Sequence, residues 1–309
     1  MKKKTVSLTI EKKMNAWLKT LPDGIRNEIR DSIIVTGGCI VSLLTQTKVN
    51  DFDVYLNNPI SLLRLMNHYL GKLKGHNAVV QVLQDKTLPI HQQWVIANED
   101  ILTELINADK EIRLRYFIKS AGIVRLPKPG KASQYLPQVV TDNALSLTGQ
   151  IQIINRFHGT SAQIHENFDF VHVTSYWTFR EKLVLPANAL EAILTKELRY
   201  FGSLYPIASI IRVRKFVQRG WTINAGQLVK MAMQVSKLDL SNIDILRDQL
   251  IGVDLSYFES FLAKVEEKTK ELGTLSPGYL FELLDEVFDS NEDGSTENEG
   301  STDPDIDID

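Results

Sequence analysis

Two aspartates, Asp51 and Asp53, stand at the head of an apolar run, DFDVYL, and a glycine pair, Gly37-Gly38, closes another, IIVT. Side chains on a strand alternate with a period of two, so Asp51 and Asp53 share a face, roughly 6–7 Å apart. On a rigid strand such a pair could hold the divalent cations of phosphoryl transfer, which in two-ion sites lie about 3.5–4 Å apart. The glycines supply a second half of the same chemistry. Placed between a strand (Ile33–Thr36) and a short helix (Cys39 to about Leu44), they let the backbone approach a ligand and expose N–H groups where phosphate binds readily. Ser42, in that helix, joins the candidate phosphate-binding residues. A glycine pair alone is also an ordinary turn, and an Asp-x-Asp pair alone is also a solvated strand end. Their order and their spacing of a dozen residues set this pair apart.

That layout resembles the signature of the nucleotidyltransferase fold superfamily, the DNA polymerase β-like and poly(A) polymerase-like enzymes, carried here by Gly37, Gly38, Asp51 and Asp53. The resemblance implies an α/β (α+β) head with a mixed sheet, Mg²⁺ or Mn²⁺ on the aspartates, and attack of a hydroxyl on the α-phosphorus of a nucleoside triphosphate. Members typically add a third acid within an apolar-Asp-apolar pattern on a neighbouring strand, and Asp169 in FDFVHV matches. An unpaired carboxylate buried in an apolar strand is costly, whereas opposite cations it makes sense. Asp169 would complete the metal site and act as general base; Asp142 and Asp109 lack comparable strand context. Uncharacterised bacteriophage-encoded proteins of the superfamily share the general look. No Arg-Arg-Asp-type nucleotide-selecting motif like that of tRNA CCA-adding enzymes is found.

The elements that must position these groups follow from periodicity. Thr9 to Thr20 and Asp23 to Asp31 read as helices split by a Pro-Asp-Gly turn, and Ile60 to Leu73 as a helix with a core-packing stripe. Ala78 to Leu83 and Gln150 to Phe157 read as strands, and Gly159–Glu166 as a loop or short helix. Between them, residues 85–148 read as an insertion: a helix from Glu99 to about Ala108, strand-like runs at Glu111–Phe117 and Gly122–Leu126, and a basic loop with Arg125, Lys128 and Lys131. Arg156 could steady a triphosphate or be an exposed strand arginine. His158, His165 and His172 lack the i, i+4 pairing of a zinc site on one helix and read as structural or solvated.

From Ala189 the chain turns helical, at Ala189–Phe201, Ile207–Arg219, Ala225–Val235, Ser241–Ile251, Leu255–Leu272 and Pro277–Phe288, with breakers between them. Within it SIIRVRKFVQRG resembles the Arg-rich helix that follows the head in tRNA nucleotidyltransferases, which makes Arg212 and Lys215 candidates for nucleotide binding; a solvated basic helix face has the same letters. The expected organisation is thus a catalytic domain over 1–188, an all-helical C-terminal domain over 189–288 and a disordered acidic tail over 289–309.

Composition narrows the partners. At 309 residues with 43% hydrophobic and 24% charged residues, the chain reads as an ordinary soluble protein. It shows no secretory signal and no apolar run of membrane-spanning length. One cysteine, Cys39, leaves no internal disulfide and fits a reducing cytoplasm. Nine of the 38 acidic residues lie in the tail, so residues 1–288 hold 35 basic against 29 acidic residues, net +6. That suits a nucleotide and an RNA or tRNA 3′ end as acceptor, with a protein or small-molecule acceptor, or a non-catalytic binding module, as the other readings. The tail opens like a calcium loop at Asp289, but position 12 is Gly300 and no exit helix follows.

Overall fold

A computed structural model describes residues 2–73, 78–85, 87–88, 92–118, 123–126, 135–240, 242, 245–246, 249, 265, 267, 278, 281–282 and 285. The chain divides into two units: residues 1–203 with 220–227, and residues 204–219 with 228–309.

Helices α1 (Lys3–Leu18) and α2 (Asp23–Arg30) lead into β1 (Ile33–Thr36), α3 (Gly38–Thr45) and β2 (Phe52–Leu56). Next come α4 (Pro59–Leu70), β3 (Ala78–Leu83), β4 (Trp94–Ile96), α5 (Glu99–Asn107) and β5 (Leu114–Ile118). They are followed by β6 (Ile123–Arg125), β7 (Pro137–Thr141), β8 (Ala144–Leu147), β9 (Ile151–Ile154) and α6 (Ser161–His165). A 3-10 turn at Val171–Val173, β10 (Tyr176–Thr178), β11 (Lys182–Val184) and α7 (Ala187–Thr195) complete the first unit. The principal sheet has eight strands in the order β11-β10-β1-β2-β9-β8-β7-β6, and β3, flanked by β4 and β5, forms a second sheet. Among the described residues β2 and β9 are the one parallel pair of the principal sheet, so the architecture is mixed α/β as expected.

One face of the principal sheet carries the core. Ile33, Val35, Phe52, Val54, Leu56, Ile151, Ile153 and Trp177 bury against α1, α4 and the second sheet. The opposite face, with Ile34 and Tyr55, is covered by α6 through Ile164 and by Phe168. Helix α4 is fixed at its start by Asn58, whose side-chain oxygen accepts from the N–H groups of Ile60 and Ser61, with Pro59 in the first turn. In the core the Trp17 indole N–H donates to the Tyr69 hydroxyl at 2.9 Å, and both side chains are fully buried. Tyr69→Phe strands that N–H without a partner. It is expected to cost about 1–3 kcal/mol, seen as a lower urea midpoint with an unchanged slope.

The alternating segment Phe168–Val173 departs from the strand expected of it. Asp169 lies in a bend, Phe170 makes an isolated bridge to Tyr200, and a 3-10 turn follows. The apolar residues pin a loop from several sides: Phe168 packs on Tyr55 and His165, and Phe170 on Tyr200. The 85–148 segment also does more than interrupt the sheet, since it supplies β6, β7 and β8 to the principal sheet and β4 and β5 to the second. Helix α7 ends at Thr195, short of the expected Phe201, because Lys196 adopts a left-handed conformation (φ 50°) and the chain then extends, with Glu197 bridging Thr222.

In the second unit α8 (Pro206–Gln218) starts on a proline that needs no N–H partner, and α9 (Ala225–Val235), which begins at the end of the first unit, follows it. Most of Ser241–Ile251, Leu255–Leu272 and Pro277–Phe288, and all of the acidic tail from Asp289, lie outside the described residues.

Candidate functional site

The site is built at the Gly37 end of β1. Gly37 has φ +93° and ψ −154°, a conformation essentially reserved for glycine, and it caps α3 with no side-chain partner for the helix N–H groups. A Cβ at Gly37 would sit 3.1 Å from Asp53 Oδ2, so the carboxylate lies directly against the bare backbone of the turn. Gly38 opens the helix with free space where a Cβ would be, and Ser42 sits half-buried farther along it. A strand-to-helix corner of this kind presents N–H groups and the positive end of the helix dipole to an anion.

Pairing in register arranges the rest. Thr36 lies opposite Asp53 on β2 and opposite Tyr176 on β10, Asp53 lies beside Gln152 on β9, and Gln152 lies opposite Ser146 on β8. Residues in register share a face, so Tyr176, Thr36, Asp53, Gln152 and Ser146 form one row across the sheet. Asp51 falls one residue before β2 and is exposed, while Asp53 is half-buried. The row is hydrogen-bonded on both sides of the aspartate. Gln152 Nε2 donates to Ser146 Oγ at 3.1 Å. Thr36 Oγ1 lies 2.8 Å from the Ser175 carbonyl, to which it donates its single proton. His165 Nε2, at 2.8 Å from the same oxygen, therefore acts as the donor to Thr36. Burial holds His165 near 4, so the ring is neutral and compatible with that tautomer.

The two aspartates repel each other. Burial first, and then the charge of Asp51, push the Asp53 carboxyl up to about 7; burial also raises Asp51. Among the described residues neither meets a lysine or arginine within 4.0 Å. A crowded acid pair without a basic neighbour fits a divalent cation, which would supply the missing positive charge. Cys39, buried beside them, is held protonated by burial and by the Asp53 charge, which fits a packing residue rather than a reactive thiol.

The raised Asp53 has a consequence for stability. In the unfolded chain it ionises near pH 4, whereas the native protein retains the proton up to about pH 7. Its contribution is complete at acid pH and is lost as pH rises toward and through 7. Asp53→Asn removes that loss, so the metal-free variant is expected to be more stable than wild type at pH 8, by about 1–2 kcal/mol after discounting for partial exposure. The gain should vanish at pH 4, as read by thermal melts with a chelator present.

The other expected residues lie on other elements. Asp169 is 6% exposed, on the loop described above, where its carbonyl accepts from the Phe201 N–H and its carboxylate acts on His172. Among the described residues no group of three or more His, Cys, Asp or Glu that could hold a metal ion is found. The strand beside Asp53 is β9, and Gln152 occupies the register position. Arg156, four residues beyond Gln152, donates to the Asn143 side chain at 3.1 Å. Arg212 and Lys215 lie on α8 in the second unit. Thr36 and Gln152 escaped the sequence reading, and His165 entered it without a role in the site. Thr36 had one signal, its place immediately before the glycines; Gln152 had none beyond alternation.

The fold and the corner define a mixed α/β protein with a strand–glycine–helix turn facing an acid pair. The sequence matches the profile of the Gabija anti-defense 2 (Gad2) family over residues 8–196, and the chain belongs to that family. No curated protein matches it. Among solved structures it is similar to a tRNA-processing enzyme with CTP (13% identity, 82% of this chain, 54% of the other, TM-score 0.38). It is likewise similar to the Thermotoga maritima CCA-adding enzyme complexed with tRNA (12% identity, 93% and 70% covered, TM-score 0.36). The chain thus spans just over half the length of the first of these. None of the helices among the described residues is long and apolar enough to cross a membrane.

Proposed function

We propose that this chain is a divalent-cation-dependent nucleotidyltransferase that moves a nucleoside monophosphate from a nucleoside triphosphate to a hydroxyl acceptor, in the service of countering a defence system. The observation that carries the reading is the contact of Asp53 with the bare backbone of Gly37, which sets a carboxylate beside an anion-binding helix start. The N–H groups of α3 hold the phosphates. Asp51 and Asp53 would hold Mg²⁺ or Mn²⁺, which supplies charge neutralisation on the phosphates when bound. Thr36, clamped by His165 and the Ser175 carbonyl, keeps the Gly37 turn in register with Asp53. The acceptor hydroxyl attacks the α-phosphorus, pyrophosphate leaves, and the hydroxyl proton passes to solvent beside the exposed Asp51. Positioning and charge neutralisation do most of the work in such reactions.

The acceptor we assign is the 3′ hydroxyl of an RNA, supported by the basic excess of residues 1–288. Nothing singles out tRNA. A second reading, a protein of the defence system as acceptor, is favoured by the description of the family. Incubation with each labelled nucleoside triphosphate, Mg²⁺ or Mn²⁺, RNA and the purified Gabija proteins separates them by where the label goes. Label in none of the fractions beyond an Asp51→Asn/Asp53→Asn control would leave a binding module instead of an enzyme.

A further inference from the structure

The second sheet presents a face that the corner does not use. Val80, Val82, Leu114, Tyr116 and Ile118 turn into the core, so the alternate residues Gln81, Arg115 and Phe117 with Trp94 and Ile96 lie on the other side. Ile96 is 66% and Phe117 37% exposed. The Arg115 guanidinium lies 3.9 Å from the centre of the Trp94 ring and 5.3 Å from that of Phe117, and its Nε and Nη2 both donate to Gln81 Oε1.

We propose that this face is a stacking platform for single-stranded nucleic acid, in which bases lie on Trp94 and Phe117 and a phosphate meets Arg115. The charge around it supports an anion. Among the described residues Arg115 meets no carboxylate within 4.0 Å, and the acid that acts on it, Asp142, is shared with Arg156. The charges of two guanidiniums thus act on one half-buried carboxyl. Arg113 is already spent on Glu111. Planar rings beside an under-compensated guanidinium suit any base and a phosphate together, whereas a protein partner would have to bring its own carboxylate to the same spot.

The platform is held rigid. Asn155 Nδ2 donates to the Leu114 carbonyl at 3.0 Å, and His158 Nε2 reaches the Ile112 carbonyl at 3.0 Å, which ties the outer edge of β5 to the segment after β9. The assignment deepens the RNA-acceptor reading by naming where a strand would be held, yet strand binding itself needs neither aspartate.

The test uses the full chain and a mixed-sequence 12-nucleotide RNA. Trp17, Trp177 and Trp221 are buried, so a change in tryptophan fluorescence on strand binding reports chiefly on Trp94. Quenching on titration is expected, lost in Trp94→Phe while anisotropy of a labelled strand still shows binding. Arg115→Gln and the exposed Phe117→Ala should each weaken binding about tenfold, a size typical of one stacking or phosphate contact. Asp51→Asn/Asp53→Asn should bind as wild type, which separates loss of the platform from loss of the catalytic reading. Unquenched wild-type fluorescence, or Arg115→Gln and Phe117→Ala binding RNA as wild type does, would overturn the assignment and return the face to a protein partner.

Discussion

Converting Asp51 and Asp53 together to asparagine is expected to reduce nucleotidyl transfer by about a thousandfold or more, the scale lost when charge stabilisation of a transferring phosphoryl group is removed. The volume of the corner barely changes, and no basic partner among the described residues loses its counter-ion. The variant should therefore fold, and its metal-free melting temperature at pH 8 should equal or exceed that of wild type, because the strained Asp53 carboxylate is gone. The second measurement is Mn²⁺ binding by titration calorimetry. Wild type should take up the ion and gain thermal stability by mass action, while the variant should do neither. A variant that still transferred label would place the chemistry elsewhere in the chain.

The strand–turn–helix–strand run from Ile33 to Leu56 was legible because every signal in it is local. Four apolar residues, two glycines and an alternating strand declare themselves within two dozen positions, and the structure places β1, α3 and β2 within a residue or two of expectation. The neighbour of Asp53 was not legible. It lies about a hundred residues further along, and register between distant strands is set by packing of the whole sheet, which alternation cannot encode. QIQII announced a strand without saying that its second glutamine would face Asp53. Phe168–Val173 failed in the opposite way. Its alternation is genuine, but Phe168 packs on Tyr55 of β2 and Phe170 on Tyr200, so the pattern served a pinned loop. The end of α7 was missed for a comparable reason: Lys196 and Glu197 are good helix formers, and only tertiary bridging at Thr222 draws the chain out.

Gly37→Ala probes the same corner from the backbone side, and its effect should be nearly as large. At φ +93° and ψ −154° a side chain is strained by about 1–3 kcal/mol wherever the surroundings hold the conformation. The surroundings do hold it. Thr36, one residue before, is clamped by the Ser175 carbonyl and His165, and α3 begins one residue after. The new methyl would also meet Asp53 Oδ2 at 3.1 Å, and relief requires the carboxylate to swing away from the turn or the turn to move from the helix. Either shift spoils the alignment of acid pair and N–H groups. A displacement of about 1 Å at such a site can cost about a hundredfold in rate. We therefore expect a Tm lowered by several degrees together with about a hundredfold loss of transfer. Gly38→Ala, where the added carbon meets open space and the backbone is unstrained, should lose little stability. Comparable stability loss in both variants would mean that the Gly37 conformation is not enforced and that the contact with Asp53 does not organise the site.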